Sequence, residues 1–255
     1  MVAAVLHAEV SGPVGAPLVV LGGSLGSTMS MWDPQLPALA EHFRVVRYDA
    51  RGHGRSPVPE GPYGLDDLVD DLLALLDRLE LERVHLVGLS LGGMTAMRLA
   101  MREPGRVDRI AVLCTSARLG PASGWVERAT QVRAGGTGSV ADAVVARWFT
   151  EGFRQRRPEV VAKMVAMVAA VPAVGYAACC GAVAEMDLRD GLAAIRSPLL
   201  AIAGEHDPAT PPEHLAAIAS GVPDGRLVTL PEAAHLANVE QPAAVNALLL
   251  EHLRT

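Results

Sequence analysis

Three residue types that together make an acyl-transfer centre occur in this chain in the order serine, acid, histidine. Ser90 lies in the run GLSLG, Gly88 to Gly92. That is the pattern of a nucleophile on a tight strand-to-helix turn, where small residues two positions away let the backbone pass close to itself. GGSLG, Gly22 to Gly26, fits the same pattern, and context separates the two. Ser90 follows the apolar run RVHLVG and opens the uninterrupted helical pattern LGGMTAMRLAMR, whereas Ser24 is followed by STMSMWDP, which delays a helix. Ser90 is the candidate nucleophile, with a helix N-cap as its plainer role. Ser24 is a candidate backbone donor to an oxyanion, with a glycine-rich turn as its plainer role.

A serine hydroxyl attacks only when a base takes its proton and an acid holds that base in one tautomer. Of the eight histidines, His7 and His42 precede the Ser90 turn, His85 sits in the strand pattern before it and His252 in the terminal helix. His53, within RGHGRS, is out of order and reads as a turn former. His235 stands in EAAHLANVEQP, between the last strand pattern and the last helix, and is the candidate base. Asp207, in GEHDPATPP at the end of an apolar run, is the candidate acid; its plainer role is to start a helix, and Glu205 is the fallback. His206 and His214 lack a third ligand, HEXXH and CXXC patterns are absent, and the sole lysine, Lys163, is in no phosphate-binding loop. No metal and no cofactor is expected.

Such residues need a scaffold that brings distant loops together, and the apolar periodicity supplies one. Short β-branched runs alternate with helical patterns: LVVLGG, FRVVRYDARG, RVHLVG and RIAVLCTS before position 117, then PLLAIAGEHD and RLVTLPE after 190. Leu65, Leu68, Val69, Leu72, Leu73, Leu76 and Leu79 recur at helical spacing, with acids at 66, 67, 70, 71 and 77 on the remaining positions. A last helix is expected from Val239 to Leu253. The pattern predicts an α/β fold with a mainly parallel central sheet flanked by helices, whose loops gather at the carboxyl ends of the strands. Between 117 and 190 the alternation stops and several helices follow one another, broken by GPASG, RAGGTG, RRPE and Pro172. Residues 1–116 and 191–255 are therefore expected to form the core domain, and 117–190 an inserted helical cap.

Composition narrows the classes further. The 255 residues are 50% hydrophobic and 20% charged, which excludes a disordered chain, and a net charge of -6 argues against a nucleic-acid binder. The apolar stretch from Val160 to Val183 carries Lys163, Pro172 and Gly175 and is expected to form buried helices rather than a membrane span. Three cysteines, Cys114, Cys179 and Cys180, form no disulfide framework, and the first residues lack the pattern of a secretory signal; a cytoplasmic location is expected. Oligomeric state leaves no trace in the sequence.

The Ser90 turn, YDARGHGRS, GEHDPATPP and AAHLANVEQP, in that order along the chain except that YDARGHGRS precedes the turn, resemble the α/β-hydrolase superfamily across the whole chain. Within it, SLGSTMSMWDPQ, RYDARGHGRS, CTSARLGPASGW and VRAGGTGSVADAVVARWFT resemble the 3-oxoadipate enol-lactonases of aromatic catabolism. The resemblance implies hydrolysis of a small anionic lactone by Ser90, Asp207 and His235, with the oxyanion met by the backbone N–H groups of Leu91 and Ser24. A substrate carboxylate calls for a fixed guanidinium. Between positions 118 and 157 seven arginines stand against Glu127, Asp142 and Glu151. Arg133, beside GGTG, is the expected carboxylate anchor, with Arg128 and Arg118 next, and Trp125 and Trp148 are candidate pocket walls. The same three residues would also serve a general carboxylesterase, a carbon-carbon bond hydrolase or a cofactor-free perhydrolase, and a non-catalytic small-molecule receptor is the reading outside enzymology.

Overall fold

Each of the six β-branched runs becomes a strand in a computed structural model that describes residues 2–254. They are β2 (Leu18–Gly22), β3 (Arg44–Tyr48), β4 (Val84–Leu89), β5 (Val107–Leu113), β6 (Leu199–Gly204) and β7 (Gly225–Leu230). All six run parallel, and β1 (Ala8–Ser11) joins antiparallel on β3 to give the order β1-β3-β2-β4-β5-β6-β7. The central strands VHLVGL and LLAIAG are buried along their whole length, as expected for a parallel sheet covered on both faces. β1 was not legible in the sequence. Its four residues, AEVS, are at an edge and half exposed, so they show no apolar alternation.

Helices α1 (Leu36–Ala40), α2 (Leu65–Arg78), α3 (Leu91–Arg102), α9 (Pro212–Gly221), α10 (Ala237–Glu240) and α11 (Pro242–Leu253) cover the sheet. The helix expected from Val239 to Leu253 is two: Pro242 has no N–H to continue the ladder, so α10 ends before it and α11 restarts at it. In α2 the spacing buries Leu65, Leu68, Val69, Leu72, Leu75 and Leu76, but Asp71, read as a surface acid, is buried with them. Its carboxylate is paired with the Arg51 guanidinium, and the two side chains are 1% and 0% exposed. Arg51 also stacks over the Tyr63 ring at 5.1 Å.

Five helices follow one another between β5 and β6: α4 (Ala122–Gly135), α5 (Gly138–Val145), α6 (Glu151–Arg156), α7 (Pro158–Ala169) and α8 (Ala173–Glu185). The two ends of this segment meet, since Arg118 bridges Asp187 and the Leu188 N–H donates to the Ala117 carbonyl at 2.7 Å. Helices α7 and α8 are bent by 92° at the break before Ala173, and among the described residues no single helix is long and apolar enough to cross a membrane.

Candidate active site

Ser90 takes the first position after β4 with φ 54° and ψ -116°, a conformation that L-residues avoid and that costs about 1–3 kcal/mol. Its neighbours hold it there. The Ser90 N–H donates to the Leu113 carbonyl at 3.0 Å, and its own carbonyl accepts from Thr115 Oγ1 at 2.7 Å. A Cβ on Gly88 would collide with the Gly92 backbone, and one on Gly92 with the Gly22 backbone, so the two glycines of the motif are required sterically. The strained turn tips the hydroxyl off the sheet and into a cavity of about 320 Å³.

Two further loops reach the same cavity from the carboxyl ends of β6 and β7. Asp207 follows β6 and is 2% exposed; His235 follows β7 and is 4% exposed. His235 Nδ1 donates to Asp207 Oδ2 at 2.8 Å, which leaves Nε2 as the proton acceptor. Thr210 Oγ1 donates to the same oxygen at 2.6 Å, while the other takes the N–H groups of Ala209 at 2.8 Å and Thr210 at 3.1 Å. Burial alone would raise the Asp207 carboxyl, but the His235 charge and the hydrogen bonds from His235 and Thr210 outweigh it and hold it at about 2. Thr210 escaped the sequence reading, although Asp-Pro-Ala-Thr is a turn signature in which a side chain meets its own loop. Glu205 points elsewhere: its carboxylate is half exposed, accepts the Glu232 N–H and lies 3.7 Å from His206. Ser90 and His235 both line the cavity, and no hydrogen bond joins them; such contacts commonly close only around substrate.

The loop of His235 is fastened to the helical insertion. The Leu236 N–H donates to the Trp148 carbonyl at 2.9 Å. The Glu240 carboxylate accepts the Ala234 N–H at 2.9 Å on one oxygen and, on the other, the Thr150 N–H at 3.1 Å and the Thr150 hydroxyl.

Of the two amides expected to face an oxyanion, Leu91 begins α3 and its N–H has no partner within the protein. Ser24 does not fit the expectation. Its N–H donates to Met31 Sδ at 3.3 Å. The next peptide is oriented differently: the Ser24 carbonyl accepts the Ser27 N–H at 3.0 Å and the Ser27 hydroxyl at 2.7 Å. In a trans peptide the carbonyl and the following N–H point in opposite directions, so the Leu25 N–H turns away from Ser27. Leu25 lines the cavity and its N–H has no protein partner, so it replaces Ser24 as the second candidate donor.

The rest of the wall comes from the insertion. Trp125 and Trp148 both line the cavity, as expected; Trp125 Nε1 donates to the Leu119 carbonyl at 3.1 Å. Of the arginines expected as carboxylate partners, only Arg128 lines the cavity. Arg133 is exposed and outside the cavity, and Arg118 is an exposed partner of Asp187 at 3.7 Å. Helix geometry explains the miss: Trp125 and Arg128 share a face at a spacing of three, whereas Arg133, five residues on, is about 140° around the helix. Arg128 lies over the Trp125 ring at 4.7 Å, and it lines the cavity together with Arg147, which the sequence reading did not single out. Among the described residues neither guanidinium has a carboxylate within ion-pair reach. Partial burial and the Arg128 charge both push Arg147 below its ordinary value. Tyr176 also lines the cavity; its hydroxyl is buried with no partner, and burial raises it to about 12 against the pull of Arg128.

A serine on a strained turn, a histidine oriented by a buried carboxylate and two amides without protein partners, that of Leu25 in the cavity wall and that of Leu91 next to Ser90 in the chain, are the equipment of an acyl-transfer centre on a parallel sheet. Residues 16–242 match the family described as alpha/beta hydrolase fold, and the chain belongs to that family. Among its relatives is 3-oxoadipate enol-lactonase 2 of Acinetobacter baylyi, 40% identical over 235 residues that cover 92% of this chain and 88% of that protein. The crystal structure of the enol-lactonase from Burkholderia xenovorans LB400 is 40% identical with a TM-score of 0.96, covering 98% of this chain and 96% of that one. More distant is a putative carbamate hydrolase, RutD, of Agrobacterium fabrum, 31% identical over 97% of this chain and 98% of its own.

Proposed function

We propose that this protein hydrolyses 3-oxoadipate enol-lactone to 3-oxoadipate, a step in the catabolism of aromatic compounds. The observation that carries the reading is the meeting of two kinds of group in one cavity. Ser90 and the Asp207–His235 pair supply ester chemistry, and Arg128 and Arg147, without acidic partners, supply a place for the carboxylate that distinguishes this lactone from a neutral ester. The named enol-lactonase relatives support the same choice.

In the reaction Ser90 Oγ attacks the lactone carbonyl as His235 Nε2 takes its proton, and Asp207 stabilises the imidazolium. The Leu25 and Leu91 amides receive the oxyanion, because charge develops there and both N–H groups are otherwise unused. Collapse breaks the ring C–O bond. His235 returns the proton to the departing enol oxygen, and the enol tautomerises to the ketone. His235 then deprotonates water, which attacks the acyl carbon and frees Ser90 and the second carboxylate of the product. The insertion serves as a cap that carries the cationic wall. Three free, buried cysteines suit a reducing cytoplasm.

The test is a comparison of kcat/KM for the enol-lactone and for phenyl acetate in the same preparation, with Ser90→Ala alongside. The expected result is a strong preference for the lactone, with turnover in Ser90→Ala reduced by about 10³-fold or more. Equal rates on both substrates would point to a general esterase, and full turnover in Ser90→Ala would remove Ser90 from the mechanism.

A further inference from the structure

The loop that offers the Leu25 amide does not hold itself up. Behind it runs the segment after β3 that contains RGHGRS, and two hydrogen bonds join them. The Gly26 N–H donates to His53 Nε2 at 3.0 Å, and the Met29 N–H donates to Asp49 Oδ1 at 2.8 Å. The template side is itself braced, since Asp49 Oδ2 accepts the Arg55 N–H at 2.9 Å and the Asp49 carbonyl accepts the Ser56 hydroxyl at 2.6 Å.

His53 is 1% exposed, and its partners allow one protonation state. Nδ1 lies 3.1 Å from the Arg51 carbonyl, which can only accept, so Nδ1 carries the proton. Nε2 faces an N–H and must be the bare acceptor. Burial pushes the imidazole pKa down, against the Arg51 hydrogen bond and the Asp49 charge, in keeping with that neutral form. The bond falls at a sensitive place. The Gly26 N–H belongs to the peptide that begins at Leu25, while the preceding peptide, which ends in the Leu25 N–H, is fixed through the Ser24 carbonyl by Ser27. Leu25 is thus clamped from both sides, by Ser27 before it and His53 after it.

We propose that His53 is a positioning residue for the oxyanion site, its bare Nε2 holding the Gly26 amide so that the Leu25 N–H stays aimed into the cavity. The proposal rests on the reading of the cavity as a serine hydrolase site. It turns a histidine without a place in the proton relay into the support of the second oxyanion donor.

The experiment measures enol-lactone kinetics for His53→Phe, which keeps a planar though larger ring and loses the acceptor, and for His53→Gln, whose amide oxygen restores it. Ser90→Ala is assayed in parallel, and thermal melts establish that each variant is folded. Loss of one oxyanion donor costs about 10²–10³ in kcat, so misaiming one is expected to lower kcat by about 30-fold in His53→Phe, with KM changed less than about threefold. His53→Gln is expected to recover about tenfold of that loss. If His53→Phe does not fold, His53→Asn, whose oxygen is too short to reach Gly26, takes its place against His53→Gln. Equal kcat in the acceptor and non-acceptor variants overturns the proposal, as does a fall in melting temperature with kcat intact. An inactive Ser90→Ala beside an unimpaired His53→Phe refutes this proposal alone; an active Ser90→Ala refutes the catalytic reading beneath it.

Discussion

Replacing Arg128 and Arg147 by methionine tests whether the cationic wall recognises substrate or merely covers the site. Methionine keeps most of the aliphatic stem, so packing on Trp125 survives while the charge is lost. A hydrogen bond to a charged partner is worth about 1.5–3 kcal/mol, and each 1.4 kcal/mol is about tenfold in rate. Arg128 is half buried and stacked on an indole at 4.7 Å, which shields it from water, so the upper part of that range applies. The Arg128→Met variant is expected to lose about 70-fold in kcat/KM on the enol-lactone. Arg147 is more exposed than Arg128, water screens it in part, and its loss is expected to be about tenfold. If both guanidiniums serve one carboxylate, as proposed, the double variant falls short of the product of the two, at about 300-fold. On phenyl acetate, which offers no carboxylate, each variant stays within about threefold of the parent, and Arg133→Ala leaves both substrates alone. The assay is steady-state kcat/KM on the two substrates for the parent and the four variants. A matched drop on both would mean that the arginines support the architecture of the site, and an unaffected lactone rate would refute the carboxylate subsite.

Four other outcomes follow from the same geometry. Asp207 has its carboxyl at about 2 rather than the ordinary 3.8, so its contribution to stability is whole above the higher value and is lost as pH falls through the lower one; Asp207→Asn should remove this part of the acid dependence in urea titrations between these pH values, and an unchanged dependence would contradict it. The same variant should lose about 10⁴ in kcat, because the amide favours the wrong tautomer of His235. Thr210→Val deletes the hydroxyl that holds Asp207 Oδ2 at 2.6 Å, and stopped or steady-state assays should show kcat lower by about tenfold at nearly constant KM. Asp71→Asn removes the carboxylate charge paired with the buried Arg51 guanidinium and should cost about 3–5 kcal/mol in chemical unfolding, a loss below about 1 kcal/mol being the result that sinks the argument.

Much of this site was legible because its chemistry is tied to local sequence. Ser90 announces itself through glycines that the strained turn needs, and Asp207 and His235 through their places after β6 and β7. What the sequence concealed depends on direction. Ser24 and Leu25 are equally plausible donors as letters, and only the structure shows that the Ser24 N–H is taken by Met31 and its carbonyl by Ser27, which leaves the Leu25 N–H without a partner. Arg133 was favoured by its glycine-rich neighbourhood, yet the spacing of Arg128 from Trp125 already carried the helical phase. Arg147 lies just past the end of α5, where no periodicity predicts facing. Asp71 looked like one more acid on a solvated stripe, since its partner Arg51 is twenty residues away in another loop.

The fastening of residues 148 and 150 to the loop of His235 bears on how parts of this protein could be exchanged with those of a relative. Leu236 and Glu240 belong to the sheet domain, Trp148 and Thr150 to the insertion, and the general base sits between their contacts. An insertion borrowed from a relative without counterparts of Trp148 and Thr150 would leave the Leu236 amide and one oxygen of the Glu240 carboxylate without these bonds, close to the imidazole. Chimaeras of this protein therefore have a natural unit of transfer that is discontinuous in sequence: the helical segment together with residues 234–240.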